Sequence, residues 1–193
     1  MAKKKAPEKK PTQEAKVVGI KVVNIVVSTS LEHDIPLEKM AATLSNTEYN
    51  PEQFPGLVIR IKEPKTSALI FSSGKVVCTG ARSMEKVEES IAKIIESLKK
   101  INIHIKVKPK IIIQNLVAAG SIGIDLNLNV LAMSLPNTEY EPEQFPGLVY
   151  KLMEAKATFL LFSNGKVVCT GTKSEEAVHH ALELLIKNLK KVM

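Results

Sequence analysis

Apolar positions along the chain recur with two periods, and the two periods alternate. From Val17 to Leu31 the run VVGIKVVNIVVSTSL is rich in β-branched residues. In a strand, Val22, Asn24, Val26 and Ser28 share one face, and Val23, Ile25 and Val27 share the other. Both faces are mostly apolar, so the strand needs cover or an apolar partner on each side. The stretch Asp34 to Leu44 predicts a short helix, with Asp34 as its cap and Pro36 in its first turn. Period-two patterning returns at Thr47–Tyr49, Leu57–Lys62, Ser67–Phe71 and Val76–Thr79. Between these runs lie Pro51 and Pro55, the turn Glu63-Pro64-Lys65-Thr66, and the turn Ser72-Ser73-Gly74-Lys75. Gly80 is expected to end the sheet, and Ser83 to cap a helix reaching Lys100. Within it Val87, Ile91, Ile94, Ile95, Leu98 and Ile101 trace one helical stripe. Asn102–Ile113 then reads as β-rich again.

The same pattern occurs twice. NTEYNPEQFPG starts at Asn46 and NTEYEPEQFPG at Asn137. The same offset carries Asn24 to Asn115, Phe71 to Phe162, and GKVVCTG at Gly74 to GKVVCTG at Gly165, without a gap. The second long stripe is Val178, Leu182, Leu185, Ile186, Leu189 and Val192. In the second copy, Asn164-Gly165 between two β-runs is the strongest hairpin signal in the chain. A constant offset over a whole unit marks a tandem module. The expected fold is therefore α+β: repeat 1 at 17–103 and repeat 2 at 104–193 form one pseudo-two-fold body. With a strand, a short helix, four strands and a long helix per copy, the two copies make one ten-stranded antiparallel sheet, both long helices on the same face.

The helices can cover only one face of that sheet. Small Cys78 suits the crowded side, together with Val76 and Gly80, so Val77 and Thr79 point to the open side. Leu69, Phe71, Asn24 and Val26 join them there. The second copy supplies Asn115, Val117, Leu160, Phe162, Val168 and Thr170. This face carries no charge cluster and no convergent titratable groups. It is apolar, with a few amides and hydroxyls, and Arg60, Lys75, Lys151 and Lys166 flank it. An exposed apolar surface of this size marks a partner, a second layer or a dimer contact. The minor groove of A·T-rich duplex fits it well, because that groove offers only adenine N3 and thymine O2 as acceptors. Asn amides and Thr hydroxyls donate to them, and Val and Leu on the groove floor exclude the guanine amino group. Phe54 and Phe71, with Phe145 and Phe162, are placed as apolar wedges. Arg60, Lys75, Lys151 and Lys166 would hold phosphates.

Composition narrows the class. Net charge is +7 over 193 residues. More than half of it lies in residues 1–16, which carry six lysines against two glutamates and read as a disordered basic tail. No apolar run reaches the roughly 20 residues of a membrane helix, and the N-terminus has no secretory core. Cys78 and Cys169 occupy equivalent positions, which a pseudo-dyad holds apart, so two reduced buried thiols in an intracellular protein are expected. None of His33, His104, His179 and His180 recurs at the repeat offset. No metal-ligand spacing, nucleophile elbow or phosphate loop appears, so neither an enzyme nor a cofactor is expected.

The blocks VNIV and IQNLV, EPKTSALIFSSGKVVCTG and KATFLLFSNGKVVCTG, and the doubled EYxPEQFPGLV resemble the core domain of the TATA-box-binding protein family. The resemblance covers about residues 17–193. It implies a curved saddle with its long helices on the convex face, seated in the minor groove of a TATA element and kinking it, both already known of that family. Carried over, Asn24, Asn115, Thr79 and Thr170 would hydrogen-bond the central base pairs. Val26, Val117, Leu69, Leu160, Val77 and Val168 would pack on the groove floor, and the four phenylalanines would insert. Glu141, Glu143 and Gln144 resemble the stirrup that docks transcription factor B, which with the DNA leads to RNA polymerase. The likeness of the halves points to the archaeal type, placing the protein in cytoplasm and nucleoid; a eukaryotic one would be nuclear. A homodimer through the open face is the expectation without DNA. The departures are Ala155 for Pro64 and Lys151 for Arg60. Alternatives of the same fold are a module binding single-stranded RNA or a nuclease substrate, and a protein-interaction module.

Overall fold

The computed structural model describes residues 16–193. The expectation for the 1–16 tail lies, but for Lys16, outside them. Each repeat gives five strands and two helices in the same order. Repeat 1 holds β1 (Val18–Ser30), α1 (Leu37–Thr43), β2 (Thr47–Glu48), β3 (Leu57–Ile61), β4 (Thr66–Ile70), β5 (Lys75–Ala81) and α2 (Met84–Lys99). Repeat 2 holds β6 (Ile112–Ser121), α3 (Leu128–Ser134), β7 (Thr138–Glu139), β8 (Leu148–Leu152), β9 (Ala157–Leu161), β10 (Lys166–Thr172) and α4 (Glu175–Val192). The ten strands form one sheet in the order β2-β3-β4-β5-β1-β6-β10-β9-β8-β7.

The centre of that order is the antiparallel pair β1·β6. Its register sets Ile25 opposite Leu116, Asn24 opposite Val117 and Val26 opposite Asn115. Ile25 and Leu116 are equivalent residues of the two repeats, so the pseudo-dyad passes through this pair. One core lies on the helix side of each half. In repeat 1, Val87, Ile91, Ile94 and Leu98 of α2 pack on Ile25, Val27, Val76 and Cys78. In repeat 2, Val178, Leu182, Leu185 and Leu189 of α4 pack on Leu116, Ala118, Val167 and Cys169. Ser83 caps α2 by accepting from Lys86 N, and Ser174 caps α4 by accepting from Ala177 N. Such a cap is worth about 1 kcal/mol. Both thiols are free and buried, and burial raises the Cys169 pKa to about 11.

Four local expectations need correction. Asp34 does not cap α1: the helix starts at Leu37, Pro36 holds the cap position, and no side chain serves it. The stretch 102–111 forms no strand, because it crosses from the helix layer to the sheet and pairs only once β6 begins. Gly80 does not end the sheet, since β5 runs on to Ala81. Nor does Gly80 face the helices. Ile25 pairs Ala81 but Val27 pairs Cys78, so β5 carries one extra residue, a β-bulge. The bulge leaves Gly80 exposed at φ +99° and returns Ala81 to the core at 2% exposure. β10 repeats it at Gly171, φ +96°. The turn at Glu154-Ala155-Lys156 does differ from its counterpart: it is a 3-10 turn ending with Lys156 at φ 50°.

Gly165 has φ +74°, and a Cβ there would stand 2.2 Å from Ile124 O. Gly19 has φ +65° with nothing within 4 Å. Gly165→Ala should therefore lose about 1–3 kcal/mol of stability, and Gly19→Ala clearly less. Urea denaturation of the two variants checks the order.

Candidate nucleic-acid interface

The sheet face away from the helices is built from cross-strand rows, because directly paired residues share a face. In repeat 1, Val58, Leu69, Val77 and Ser28 form one row. In repeat 2, Val149, Leu160, Val168 and Ala119 form its mate. Val26 and Val117 stand between them on the central strands. All are half-buried by their neighbours, with no helix above them. The sequence reading thus placed Val26, Leu69, Val77, Val117, Leu160 and Val168 on the face where they lie. It missed Val58 and Val149, although the alternation within LVIRI and LVYKL would have found them.

The bulge explains how the polar groups of this face are oriented. Its extra residue withdraws one N–H from the ladder, and Asn24 Oδ1 accepts that N–H from Gly80 at 2.8 Å. A backbone N–H can only donate, so it fixes which amide atom of Asn24 is the oxygen. Nδ2 is then turned to Thr79, donating to Oγ1 at 3.1 Å. Repeat 2 repeats the arrangement: Gly171 N donates to Asn115 Oδ1 at 2.8 Å, and Asn115 Nδ2 to Thr170 Oγ1 at 3.0 Å. Each Asn keeps a second amide proton, and each Thr hydroxyl, having accepted from Nδ2, donates at a longer 3.3 Å to the same Asn Oδ1, a contact that an outside acceptor can replace. The face thus presents hydrogen-bond donors at two places related by the dyad.

The phenylalanines stand in pairs. Phe54 and Phe71 meet edge to face, with centroids 5.9 Å apart, and so do Phe145 and Phe162 at 5.9 Å. A turn holds the first ring of each pair: Phe54 N donates to Asn50 O at 3.0 Å, and Phe145 N to Glu141 O at 2.9 Å. Phe54 and Phe145 are 43% and 39% exposed, high for rings with so much apolar area. Glu141, Glu143 and Gln144 are exposed on the same loop.

Charged residues line the margin. Lys75 pairs Ser30 and Lys166 pairs Ser121, both lysines exposed. Arg60 and Lys151 share the open-face alternation but are engaged. Arg60 Nε and Nη2 donate to Glu48 at 3.1 and 3.2 Å, and Lys151 Nζ lies on Glu139. The hydrogen bond and charge of Arg60 lower the Glu48 pKa, and those of Glu48 raise that of Arg60. Both groups are largely exposed, so water screens the pair and an anion can exchange for the carboxylate. An open groove of about 1220 Å³ runs from Asn24 and Thr79 past Arg60, Lys62, Arg82 and Lys86. Met153 and Ala177 replace Lys62 and Lys86 in repeat 2. Among the described residues no group of His, Cys, Asp and Glu could hold a metal, and no helix is long and apolar enough to cross a membrane.

The family profile described as "Transcription factor TFIID (or TATA-binding protein, TBP)" matches residues 19–101 and again 110–192. The chain belongs to this family. The two matched segments are the two repeats seen in the fold. A TATA-box-binding protein of Methanocaldococcus jannaschii is 53% identical over 173 residues, which is 90% of this chain and 94% of that one. One from Picrophilus torridus is 52% identical over 90% of this chain and 95% of its own, and one from Thermococcus celer 48% over 90% and 92%. The solved structure titled "Methanococcus jannaschii TBP" superposes with a TM-score of 0.84 and covers 90% of this chain and 99% of that one. These relatives are archaeal, as the sequence resemblance had it.

Glycine next to each Phe pair is a steric requirement. A Cβ on Gly56 would stand 2.7 Å from Phe54 Cε1 and 3.2 Å from Phe71 Cε1. Gly56→Ala should displace the Phe54 ring and break its contact with Phe71, while stability changes by less than about 1 kcal/mol because the ring is already exposed. Ring-to-ring NOEs report the first effect and thermal melting the second.

Proposed function

We propose that the chain is a general transcription initiation factor that binds a TATA-type element by laying its open sheet face into the minor groove. The observation that carries this is the pair of Asn–Thr clusters, each with its Asn oxygen held by a bulge glycine N–H and a second amide proton left over, set in an apolar face. A·T pairs present only acceptors in that groove, whereas G·C pairs add a donor at guanine N2. A surface of fixed donors and Val or Leu side chains satisfies the first and leaves the second unpaired against hydrocarbon. The names of the relatives, TATA-box-binding proteins, support the same reading.

In this reading Asn24, Thr79, Asn115 and Thr170 donate to the central base pairs. Val26, Leu69, Val77 and their mates, with Val58 and Val149, fill the groove floor. The pairs Phe54–Phe71 and Phe145–Phe162 enter base steps at either end. Unstacking a step costs a few kcal/mol, offset by the larger surface that a kinked duplex brings into contact. Lys75 and Lys166 hold phosphates, and Arg60 and Lys151 join them on leaving Glu48 and Glu139. Glu141, Glu143 and Gln144 form the docking loop for transcription factor B, and the assembled complex recruits RNA polymerase. No catalytic step or cofactor belongs to this role, which is carried out beside DNA inside the cell. The free protein would cover its apolar face by pairing with a second copy.

A mobility shift with a TATA duplex and a G·C-substituted control tests the reading. The TATA duplex should bind at least a hundredfold more tightly; equal binding would sink the proposal. Asn24→Asp with Asn115→Asp keeps an oxygen for each glycine N–H but turns each donor into an acceptor. That variant should fold normally by circular dichroism and lose TATA affinity by more than tenfold, in line with about 1–3 kcal/mol per base contact.

A further inference from the structure

The segment between α2 and β6 has no regular secondary structure, yet it is firmly held. From Ile101 to Ile112 exposure alternates residue by residue. Ile101 and Ile103 are buried, and Ile105 and Ile111 pack on the repeat 1 core. His104, Lys106, Lys108 and Lys110 face solvent. Both ends are fastened: Lys39 Nζ donates to Ile101 O at 3.0 Å, and Thr29 Oγ1 to Lys110 O at 2.8 Å. Three lysines are thereby held in a row on a fixed backbone. Lys99 and Lys100 extend it, and no carboxylate occurs between Glu96 and Asp125. Among the described residues none of these five lysines belongs to an ion pair.

The row also has a defined place. Lys110 is bonded to Thr29, and the next residue, Ser30, pairs Lys75. Lys75 O in turn accepts from Phe71 N at 2.9 Å. The lysines therefore lead away from the rim at which the Phe54–Phe71 pair stands. In sequence, the residues equivalent to Lys106, Lys108 and Lys110 in the other repeat are Ala15, Val17 and Gly19, so these three lysines are not repeated.

We propose that this linker row follows the sugar–phosphate backbone of duplex DNA beyond the element gripped by the sheet, on the Phe54–Phe71 side. The inference rests on the DNA-binding reading above. A lysine is a compact point charge that needs no particular fork geometry, which suits a backbone carrying one phosphate after another. The row is continuous with Lys75, already on the margin of the DNA face. An acidic polypeptide would answer the charge equally well, but that continuity favours the strand of DNA leaving the sheet. Because the backbone is anchored, contact orders only the side chains.

The test compares the full chain with the triple variant Lys106→Ser, Lys108→Ser, Lys110→Ser. Affinity is measured against salt concentration on two duplexes, one covering the A·T element alone and one carrying a helical turn of duplex on each side. On the flanked duplex the salt slope of the triple variant should shrink by about 2–3, at roughly 0.9 per phosphate contact, with more than tenfold weaker binding at low salt. On the minimal duplex the two proteins should match. A control, Lys187→Ser, Lys190→Ser, Lys191→Ser on exposed positions of α4, removes equal charge from the helix side and should leave the slope unchanged. An unchanged slope for the linker variant on the flanked duplex overturns the inference. So does an equal loss on the minimal duplex, or an equal loss in the α4 control. If the DNA slope holds while capture on polyglutamate resin is lost, the row belongs to an acidic protein and the inference likewise fails. Failure of the unmodified chain to bind the minimal duplex would instead remove the reading of the sheet itself.

Discussion

The antiparallel pairing of β1 with β6 is the interaction on which the molecule depends. Each repeat alone would end in an open edge at its longest strand, a row of unpaired N–H and C=O groups. Joining the two edges satisfies those groups and fuses two five-stranded sheets into one. The register does more than join them. With Ile25 opposite Leu116, the dyad falls on a residue pair whose side chains point into the two cores. The neighbouring pairs, Asn24 with Val117 and Val26 with Asn115, then necessarily point the other way. A slip of one residue between the strands would turn one of them over, moving its asparagine under the helices and exposing Ile25 or Leu116. The pairing that builds the fold thus also places the donors of the interface.

The open face follows from a shortage of cover. Two long helices, each with a single apolar stripe, can shield one side of ten strands and no more. The remaining side keeps Val, Leu and Phe half-exposed, a cost that a free-standing domain would avoid. Nothing in folding requires Phe54 and Phe145 to stand in solvent beside glycines that leave them room. Nor does it require an asparagine to be locked by a bulge when a small apolar residue would close the same gap. Features that are locally unfavourable yet built with care are expected where a surface is shaped for something else. In the proposed complex they would be covered by the groove floor and the opened base steps.

Much of this was legible in the sequence, for physical reasons. Side-chain alternation in a strand has period two, so once Cys78 was assigned to the crowded side, Val77, Thr79, Leu69 and Asn24 followed. The tandem offset supplied the other half of the interface. What failed is what alternation does not encode. A bulge adds a residue without an obvious mark in GKVVCTGA, so Gly80 was expected on the wrong face and the strand was ended too early. The cap of α1 is not legible because Asp34 and Pro36 compete for the helix start, and the helix begins only after the proline. The lock on each asparagine was invisible for the same reason as the bulge, since the donating N–H exists only where the ladder is broken. The Arg60–Glu48 pair joins residues on neighbouring strands whose register no local pattern fixes.

The two halves differ in an instructive way. On the helix side, Ala68 is matched by Phe159, Ile59 by Tyr150 and Ser90 by Ala181, with Ser90 hydrogen-bonded to buried Thr66 at 2.9 Å. Core volume can be traded between neighbours as long as the space is filled, so each half has settled its packing separately. On the open face Asn24, Val26, Phe54, Val58, Leu69, Phe71, Val77 and Thr79 recur unchanged in repeat 2, as does Gly56 at Gly147, while Ser28 and Ser67 give way to Ala119 and Thr158. Packing cannot account for this identity, because little packs on these residues. A ligand that is itself nearly two-fold symmetric can, and the minor groove of an A·T tract has that property: its acceptor pattern looks the same from either strand. In the proposed complex a surface so matched would grip such a tract equally well in both directions. Any preference for one direction must then come from residues that break the symmetry, and those that change the charge lie at the margins. Among them are Lys62 and Lys86 against Met153 and Ala177, and Lys108 and Lys110 of the linker against the uncharged Val17 and Gly19.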